Sequence, residues 1–231
     1  MGALAKDAQR CQRLSVRIAI YDLDRTLTRK PTFTPFLLFA ARRLAPWRVL
    51  LLPVWIAAML GYRAGLYSRT ALKRFGMHLM TGAPSVERLH DIGKLFARQR
   101  IRQPGLMAQI MQEVESDRAA QSRMVIATAA FELYAHHFAA ELQFDAVIAT
   151  RWDGQDIPGG NCYGEAKKAR VLEWLEHQGI DHSQAQVRFV SDSFADSPLL
   201  EIADEPIFVT DNDSKSARAR ARGWQVIAGE A

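Results

Sequence analysis

The sequence of 231 residues has two cysteines, no internal repeat and no apolar run long enough to cross a membrane. The cysteines, Cys11 and Cys162, exclude a disulfide framework, so the fold depends on its hydrophobic core, as in a reducing compartment. The first fifteen residues are polar and lack an apolar core, so we expect no secretion signal. Because hydrophobic residues make up 48% of the chain, a disordered protein is also excluded.

Acidic residues are missing from one long stretch. Nine side chains in residues 29–74 are basic and none is acidic, whereas the chain outside residues 29–120 has 15 basic and 20 acidic residues. This imbalance predicts an anionic partner. The candidates are a phosphate-rich substrate, a membrane surface and nucleic acid. No nucleic-acid recognition motif accompanies the basic stretch, so we expect no nucleic-acid partner.

The longest uncharged apolar run, residues 49–62, is 14 residues long. A straight membrane-spanning helix needs about 20 apolar residues, so the run is too short for that role. It fits either a re-entrant or interfacial segment or a buried core helix, and both interpretations stay open. Pro46 and Pro53 are expected to bend any helix in this region.

Six short apolar runs predict buried strands, and helical patterns separate several of them. This alternation predicts an α/β fold with a doubly wound parallel sheet. Between the first two runs, residues 30–120 show helical spacing and almost no strand signal, which indicates an all-helical insert. The six runs are residues 16–21, 124–128, 146–149, 187–191, 207–210 and 225–228.

Acids, hydroxyls and one lysine follow the predicted strands. Parallel sheets bind ligands at the carboxyl ends of their strands, so we expect these side chains to share one crevice. Converging carboxylates repel each other, and a hard cation such as Mg²⁺ relieves that repulsion. Lysine and hydroxyl donors then suit a phosphoryl group, so the pattern predicts metal-assisted phosphoryl transfer. The residues are Asp22, Asp24, Thr26, Thr128, Lys167, Asp192 and Asp196.

The order of these motifs along the chain resembles that of the haloacid dehalogenase superfamily. The matching features are Asp-x-Asp-x-Thr at residues 22–26, a strand-ending Thr128, Lys167, and Asp-x-x-x-Asp at residues 192–196. The helical insert resembles the type 1 cap of that superfamily, and the whole chain resembles its phosphoserine phosphatase subfamily. The basic, apolar start of the cap and Ser-Pro-Leu-Leu at residues 197–200 resemble the phosphatidylglycerophosphatase C branch.

The resemblance also implies a domain organisation. A Rossmann-like catalytic core would consist of residues 1–29 and 121–231. The cap would consist of residues 30–120, with a membrane-proximal segment at residues 33–67.

Catalytic roles are implied by the same resemblance. Asp22 matches the nucleophile that forms an aspartyl-phosphate. Asp24 matches the general acid that protonates the leaving oxygen and then activates water. Thr128 and Lys167 match the groups that hold the phosphoryl oxygens, with Lys168 as an alternative to Lys167.

A magnesium site is implied as well. Asp192 matches a Mg²⁺ ligand, and the carboxylate of Asp22 and the backbone carbonyl of Asp24 would complete the protein's donors. Asp196 matches an acid that supports either the metal shell or the active-site lysine. Thr26 is expected to support the first motif.

Arg29 and Lys30 follow the first motif, where phosphoserine phosphatases usually carry an acid that binds the substrate ammonium. Their charge argues against phosphoserine and favours an anionic head group. We therefore expect a phosphatase for a phospholipid head group, with phosphatidylglycerophosphate as the leading candidate. It would lie on the cytoplasmic side of the inner or plasma membrane, peripherally or shallowly inserted.

Three alternatives stay open. The first is a soluble, cytosolic phosphomonoesterase similar to phosphoserine phosphatase. The others are a phospho-accepting signalling module and a non-catalytic membrane adaptor.

Overall fold

A computed structural model describes residues 16–102 and 105–229, so Cys11 and the expected absence of a secretion signal lie outside the described residues. Its core is a six-stranded sheet in which every pairing is parallel, with the order β3-β2-β1-β4-β5-β6. This sheet confirms the predicted fold class. The strands are β1 (Arg17–Tyr21), β2 (Arg123–Phe131), β3 (Ala146–Thr150), β4 (Gln186–Ser191), β5 (Glu205–Val209) and β6 (Gln225–Ile227).

Both faces of the sheet are covered, as the apolar runs predict for parallel strands. Side chains alternate along β1, so Ile18 and Ile20 pack in one hydrophobic cluster while Ala19 and Tyr21 pack in the other. From β1 the chain adds β2 and β3 on one side and β4 to β6 on the other. The strand order therefore reverses beside β1, which places a ligand crevice at the carboxyl ends of β1 and β4.

Every named element between β1 and β2 in the described residues is helical. The exact division between core and cap at residues 30 and 120 stays a prediction. The helices of this insert are α1 (Phe33–Leu44), a 3₁₀ helix (Pro46–Leu51), α2 (Leu52–Arg63), α3 (Arg69–Thr81), α4 (Val86–Arg102) and α5 (Ala108–Ala119). The helices after β2 are α6 (Glu132–Glu141), α7 (Glu165–His177), α8 (Ser197–Leu200) and α9 (Asp213–Arg220).

The insert packs against the core through α4 and α6. A Cβ atom on Gly93 of α4 would lie 1.9 Å from the carbonyl oxygen of Leu133 in α6. Only glycine permits so close an approach between these two backbones. This contact fixes the insert beside the carboxyl end of β2.

The apolar run at residues 49–62 lies at the surface of the insert. Pro46 begins the 3₁₀ helix, and Trp55 is the one buried residue of α2. Leu50 is 80% exposed and Leu60 is 61% exposed, which argues against a buried core helix. Within the described ranges, the structure contains no helix with the length and hydropathy needed to span a bilayer.

Candidate active site

The side chains that follow β1 and β4 meet where the strand order reverses. The amide of Asp22 donates to the carbonyl of Val190 (2.9 Å), which continues the pairing of these strands beyond β1. Asp22 therefore leaves the sheet next to the segment that carries Asp192 and Asp196. The sequence-based prediction that these residues share one edge of the sheet agrees with this arrangement.

Lys167 joins two carboxylates in the protein interior. It lies in the first turn of α7, and its Nζ donates to Oδ1 of Asp22 (2.9 Å) and to Oδ2 of Asp196 (2.7 Å). The hydroxyl of Ser191 donates to the same Oδ2 of Asp196 (2.7 Å). All four residues are buried, so the ammonium compensates acids that would otherwise be costly to remove from water.

Asp24 has separate surroundings from Asp22. Its Oδ1 accepts hydrogen bonds from the amide (2.8 Å) and the hydroxyl (2.6 Å) of Thr32, and the Tyr134 hydroxyl lies 3.2 Å from that of Thr32. The next residue, Arg25, has a φ of 61°, which is uncommon for a residue with a side chain. These contacts fix the orientation of the Asp24 carboxyl group.

Two buried threonines shape the turns around the acids. Oγ1 of Thr128 accepts from the amide of Ala130 (3.0 Å) where the pairing of β2 with β3 shifts register, and this segment is named the Thr128–Ala130 turn. Oγ1 of Thr26 accepts from the amide of Asp192 (3.1 Å). Thr26 therefore connects the first motif to the segment after β4, and its supporting role stays a prediction.

The charges of this cluster act strongly on each other. The pKa of Asp22 is raised to about 7, because burial and the nearby charges of Asp196, Asp192 and Asp24 together outweigh the attraction of Lys167. Burial by itself would lower the pKa of Lys167, but Asp196 and Asp22 raise it well above its ordinary value. Lys167 therefore stays protonated while the acids around it compete for a compensating charge.

Asp192 and Asp24 are also harder to ionise than in water. Burial raises the pKa of Asp192 to about 6, against the attraction of Arg25. Burial likewise raises the pKa of Asp24, although the hydrogen bonds from Thr32 oppose it. A raised pKa suits a carboxyl group that must deliver a proton near neutral pH.

The donor set fits the Mg²⁺ ion that the motifs imply. The carboxylates of Asp22 and Asp192 and the backbone carbonyl of Asp24 are hard oxygen donors, and Oδ1 of Asp196 is buried without a hydrogen-bond partner. In the described part of the chain, His, Cys, Asp and Glu side chains form no group of three or more that could hold a metal. The implied set has two carboxylates and one carbonyl, so it does not require such a group.

Three cations named from the sequence lie at or near the surface. Arg29 and Lys30 are exposed, and Nε of Arg29 donates to the carbonyl of Leu106 (3.1 Å). Lys168, the alternative to Lys167, is partly exposed on α7. Their contact with a substrate stays a prediction.

Four residues of the site were not assigned a role from the sequence. They are Thr32, which binds Asp24, Ser191, which binds Asp196, and the contacting pair Lys73 and Asn161. A signal existed for Lys73, because it lies within the buried stripe of α3. A lysine in such a stripe is a candidate for a buried polar contact.

A profile of haloacid dehalogenase-like hydrolases matches residues 19–201. This range includes Lys167 and the acids around it, which are Asp22, Asp24, Asp192 and Asp196. The chain belongs to this family. The prediction of a haloacid dehalogenase-type enzyme is confirmed, whereas the individual site roles stay predictions.

Solved structures of other proteins share the fold of this chain. A protein with unknown function from Bordetella pertussis Tohama I is 29% identical, with 92% of this chain and 98% of that chain covered and a TM-score of 0.81. A phosphoserine phosphohydrolase-like protein from Francisella tularensis SCHU S4 shares the fold at 16% identity, with 92% and 95% covered and a TM-score of 0.58.

One curated relative gives a short sequence match. A histidinol-phosphatase from Neisseria meningitidis serogroup C is 33% identical over 78 residues, which is 33% of this chain. The match spans only about a third (35%) of that phosphatase.

Proposed function

We propose that this haloacid dehalogenase-like hydrolase is a Mg²⁺-dependent phosphatase that transfers the phosphoryl group of a monoester to Asp22 and then to water. The observation that supports this most strongly is the buried bridge from Lys167 to Asp22 and Asp196. It holds the carboxylate of Asp22 at the strand-order reversal, beside the separately fixed carboxyl group of Asp24. This arrangement supports the role of nucleophile for Asp22 and of proton donor for Asp24.

The first step forms an aspartyl-phosphate. A carboxylate oxygen of Asp22 bonds to phosphorus while the bond from phosphorus to the leaving oxygen breaks. Asp24 gives its proton to that oxygen, so the alcohol leaves neutral. Thr32 orients Asp24 for this transfer through two hydrogen bonds.

The second step releases phosphate. Asp24, now ionised, takes a proton from water, whose oxygen bonds to phosphorus as the bond from phosphorus to Asp22 breaks. Lys167 and Thr128 hold phosphoryl oxygens in both steps. A Mg²⁺ ion held by Asp22, Asp192 and the backbone carbonyl of Asp24 would neutralise negative charge between nucleophile and phosphoryl group.

We further propose that the substrate is a phospholipid head-group monoester, such as phosphatidylglycerophosphate, reached from the cytoplasmic face of an anionic membrane. Support comes from the outer surface of the insert, where large apolar side chains are exposed. These residues lie within a stretch that has no acid, next to Arg48 and Arg63. The exposed residues are Trp47, Leu50, Val54, Ile56, Leu60 and Leu66.

This surface is connected to the catalytic residues by a short path. Trp55 is on α2, and its Nε1 donates to Oγ1 of Thr34 (3.2 Å). Two residues earlier, Thr32 binds Asp24. A bilayer beneath α2 would therefore lie close to the side of the active site where Asp24 protonates the leaving alcohol.

A panel of lipid and soluble phosphomonoesters, assayed with and without Mg²⁺, tests this function. We expect Mg²⁺-dependent release of phosphate, faster from lipid monoesters in anionic vesicles, and none from Asp22→Asn. Preference for soluble monoesters would refute the lipid substrate and favour the cytosolic alternative. Absence of turnover on every monoester would refute the phosphatase.

A further inference from the structure

Lys73 of α3 is a buried cation that the proposed steps do not use. It is 6% exposed, and its Nζ donates to the carbonyl of Ala129 and to Oδ1 of Asn161 (2.8 Å). Nζ also lies 4.6 Å from the centre of the Phe131 ring. One side chain of the insert therefore contacts two separate segments of the core.

The same two acceptors also belong to a core hydrogen-bond network. Oγ1 of Thr150 lies 2.8 Å from both the Ala129 carbonyl and Oδ1 of Asn161, and it accepts from the amide of Cys162 (3.0 Å). The network joins the end of β3, the turn in β2 and the loop that leads to α7. Lys73 connects α3 to this network at its centre.

Ala129 occupies the middle of the Thr128–Ala130 turn, which is the proposed phosphate-binding turn. It follows Thr128, whose hydroxyl accepts from the amide of Ala130. A donor that holds the Ala129 carbonyl restrains the backbone on which Thr128 is carried. Displacement of such a group by about 1 Å is enough to slow catalysis by roughly 100-fold.

The other contacts between α3 and this loop lie at or near the surface, and they include the contact of His78 Nε2 with the Gln155 carbonyl (2.7 Å). Arg74 pairs with Asp156 at 3.1 Å, but both side chains are about half exposed. Arg69 lies over the ring of Tyr163 at 4.0 Å. Exposed pairs contribute little to stability, so we assign the positioning effect to the buried ammonium.

A lysine is a costly choice for this position. Burial lowers the pKa of Lys73 to about 7, although the charge of Asp24 opposes this. An apolar residue would pack beside Leu72 and Met77 without that cost. The polar contacts therefore account for the lysine better than packing does.

We propose that Lys73 is a positioning residue, which attaches α3 to the Thr128–Ala130 turn and to Asn161 and so holds the phosphate-binding turn in its reactive arrangement. This inference rests on the proposed phosphatase function. Lys73 acts through the turn and is not assigned a contact with the substrate.

Lys73→Met and Lys73→Arg test the proposal, with Arg98→Met as the matched control. Arg98 makes an exposed ion pair from the insert to Glu141 of α6 (2.6 Å), away from the turn. We expect Lys73→Met to fold, because Thr150 remains within hydrogen-bond distance of both acceptors. Its kcat should fall by about tenfold or more, with partial recovery in Lys73→Arg. Arg98→Met should stay within about twofold.

Hydrogen exchange measured by mass spectrometry separates positioning from stability. Without substrate, Lys73→Met should exchange faster in peptides covering residues 128–131 and 160–164, while its thermal midpoint is kept. This readout applies even if the wild-type protein hydrolyses no monoester, in which case the phosphatase proposal fails separately. Wild-type kcat together with wild-type exchange would overturn the positioning role. If Lys73→Met unfolds, Lys73→Gln takes its place, and wild-type kcat together with wild-type exchange in Lys73→Gln would overturn the positioning role.

Discussion

Nζ of Lys167 lies 2.9 Å from Oδ1 of Asp22, although 145 residues separate them in the sequence. The same ammonium binds Asp196, so the strand-end acids of β1 and β4 share one cation. Among the residues described, this bridge is the physical basis of the proposed catalytic centre. It holds Asp22, the proposed nucleophile, in place and offsets the cost of burying it.

Replacing Lys167 should affect both stability and turnover. In Lys167→Met the carboxylates of Asp22 and Asp196 lose their buried partner, so we expect the free energy of unfolding to fall by about 3 kcal/mol. Turnover should fall by at least about 100-fold, because the phosphoryl oxygens lose a cation. Urea unfolding and steady-state kinetics measure the two effects.

Lys168→Met is the matched control, because Lys168 follows Lys167 directly on α7 and its side chain is partly exposed. We expect its stability to change by less than about 0.5 kcal/mol. If Lys168→Met loses turnover and Lys167→Met keeps it, the phosphate-binding role belongs to Lys168.

Asp192→Asn should stabilise the metal-free protein above about pH 6. Burial raises the pKa of Asp192 from 3.8 to about 6 in the folded protein. The folded state therefore binds the proton more tightly, and wild-type stability relative to the variant falls as pH rises from about 4 to about 6. Thermal unfolding with a chelator should show a difference of about 3 kcal/mol near pH 8 and almost none near pH 3.

Added Mg²⁺ should reverse that order. An ion that binds only the folded state raises the unfolding temperature of the wild type, and Asp192→Asn should respond much less. The exposed Asp211, which follows β5, provides Asp211→Asn as a control that keeps the wild-type response. An equal Mg²⁺ response in wild type and Asp192→Asn would exclude Asp192 as a ligand.

Gly93→Ala should weaken the attachment of the insert to the core. The new Cβ atom would lie 1.9 Å from the Leu133 carbonyl oxygen, so α4 and α6 must separate. We expect a loss of about 2 to 3 kcal/mol in urea unfolding. Gln99→Ala, at an exposed position of the same helix, should change stability by less than about 0.5 kcal/mol. Equal stability of the two variants would contradict this packing.

Leu50→Glu should reduce binding to anionic vesicles. Leu50 is 80% exposed beside Arg48, and burying a leucine in a bilayer contributes about 1.5 to 3 kcal/mol. Leu95, 50% exposed on α4, lies outside the stretch without acids, so Leu95→Glu is the control. Sedimentation with vesicles should show at least about tenfold weaker binding for Leu50→Glu alone. Equal binding of both variants would rule out this surface.

The sheet was predictable because each strand is a short apolar run. Buried parallel strands are apolar on both faces, and all six runs correspond to strands. The rule that ligands lie at the carboxyl ends of strands then placed Asp22, Thr128 and Asp192 at one edge. These inferences need only local sequence and general topology.

Contacts between the insert and the core were not predictable in the same way. Lys73 and Asn161 are 88 residues apart, and no local pattern specifies their hydrogen bond. The run at residues 49–62 is apolar on every side, so its periodicity does not indicate which face is buried. The structure buries Trp55 and leaves most of the run near the surface.

The nucleophilic role of Asp22 is tested most directly by locating the phosphoryl group during turnover. Rapid quenching followed by borohydride reduction converts an aspartyl-phosphate to homoserine, which mass spectrometry locates in the tryptic peptide of residues 18–25. We expect homoserine at position 22 in the wild type and no turnover in Asp22→Asn. Homoserine at position 24, or wild-type turnover in Asp22→Asn, would contradict the nucleophilic role of Asp22.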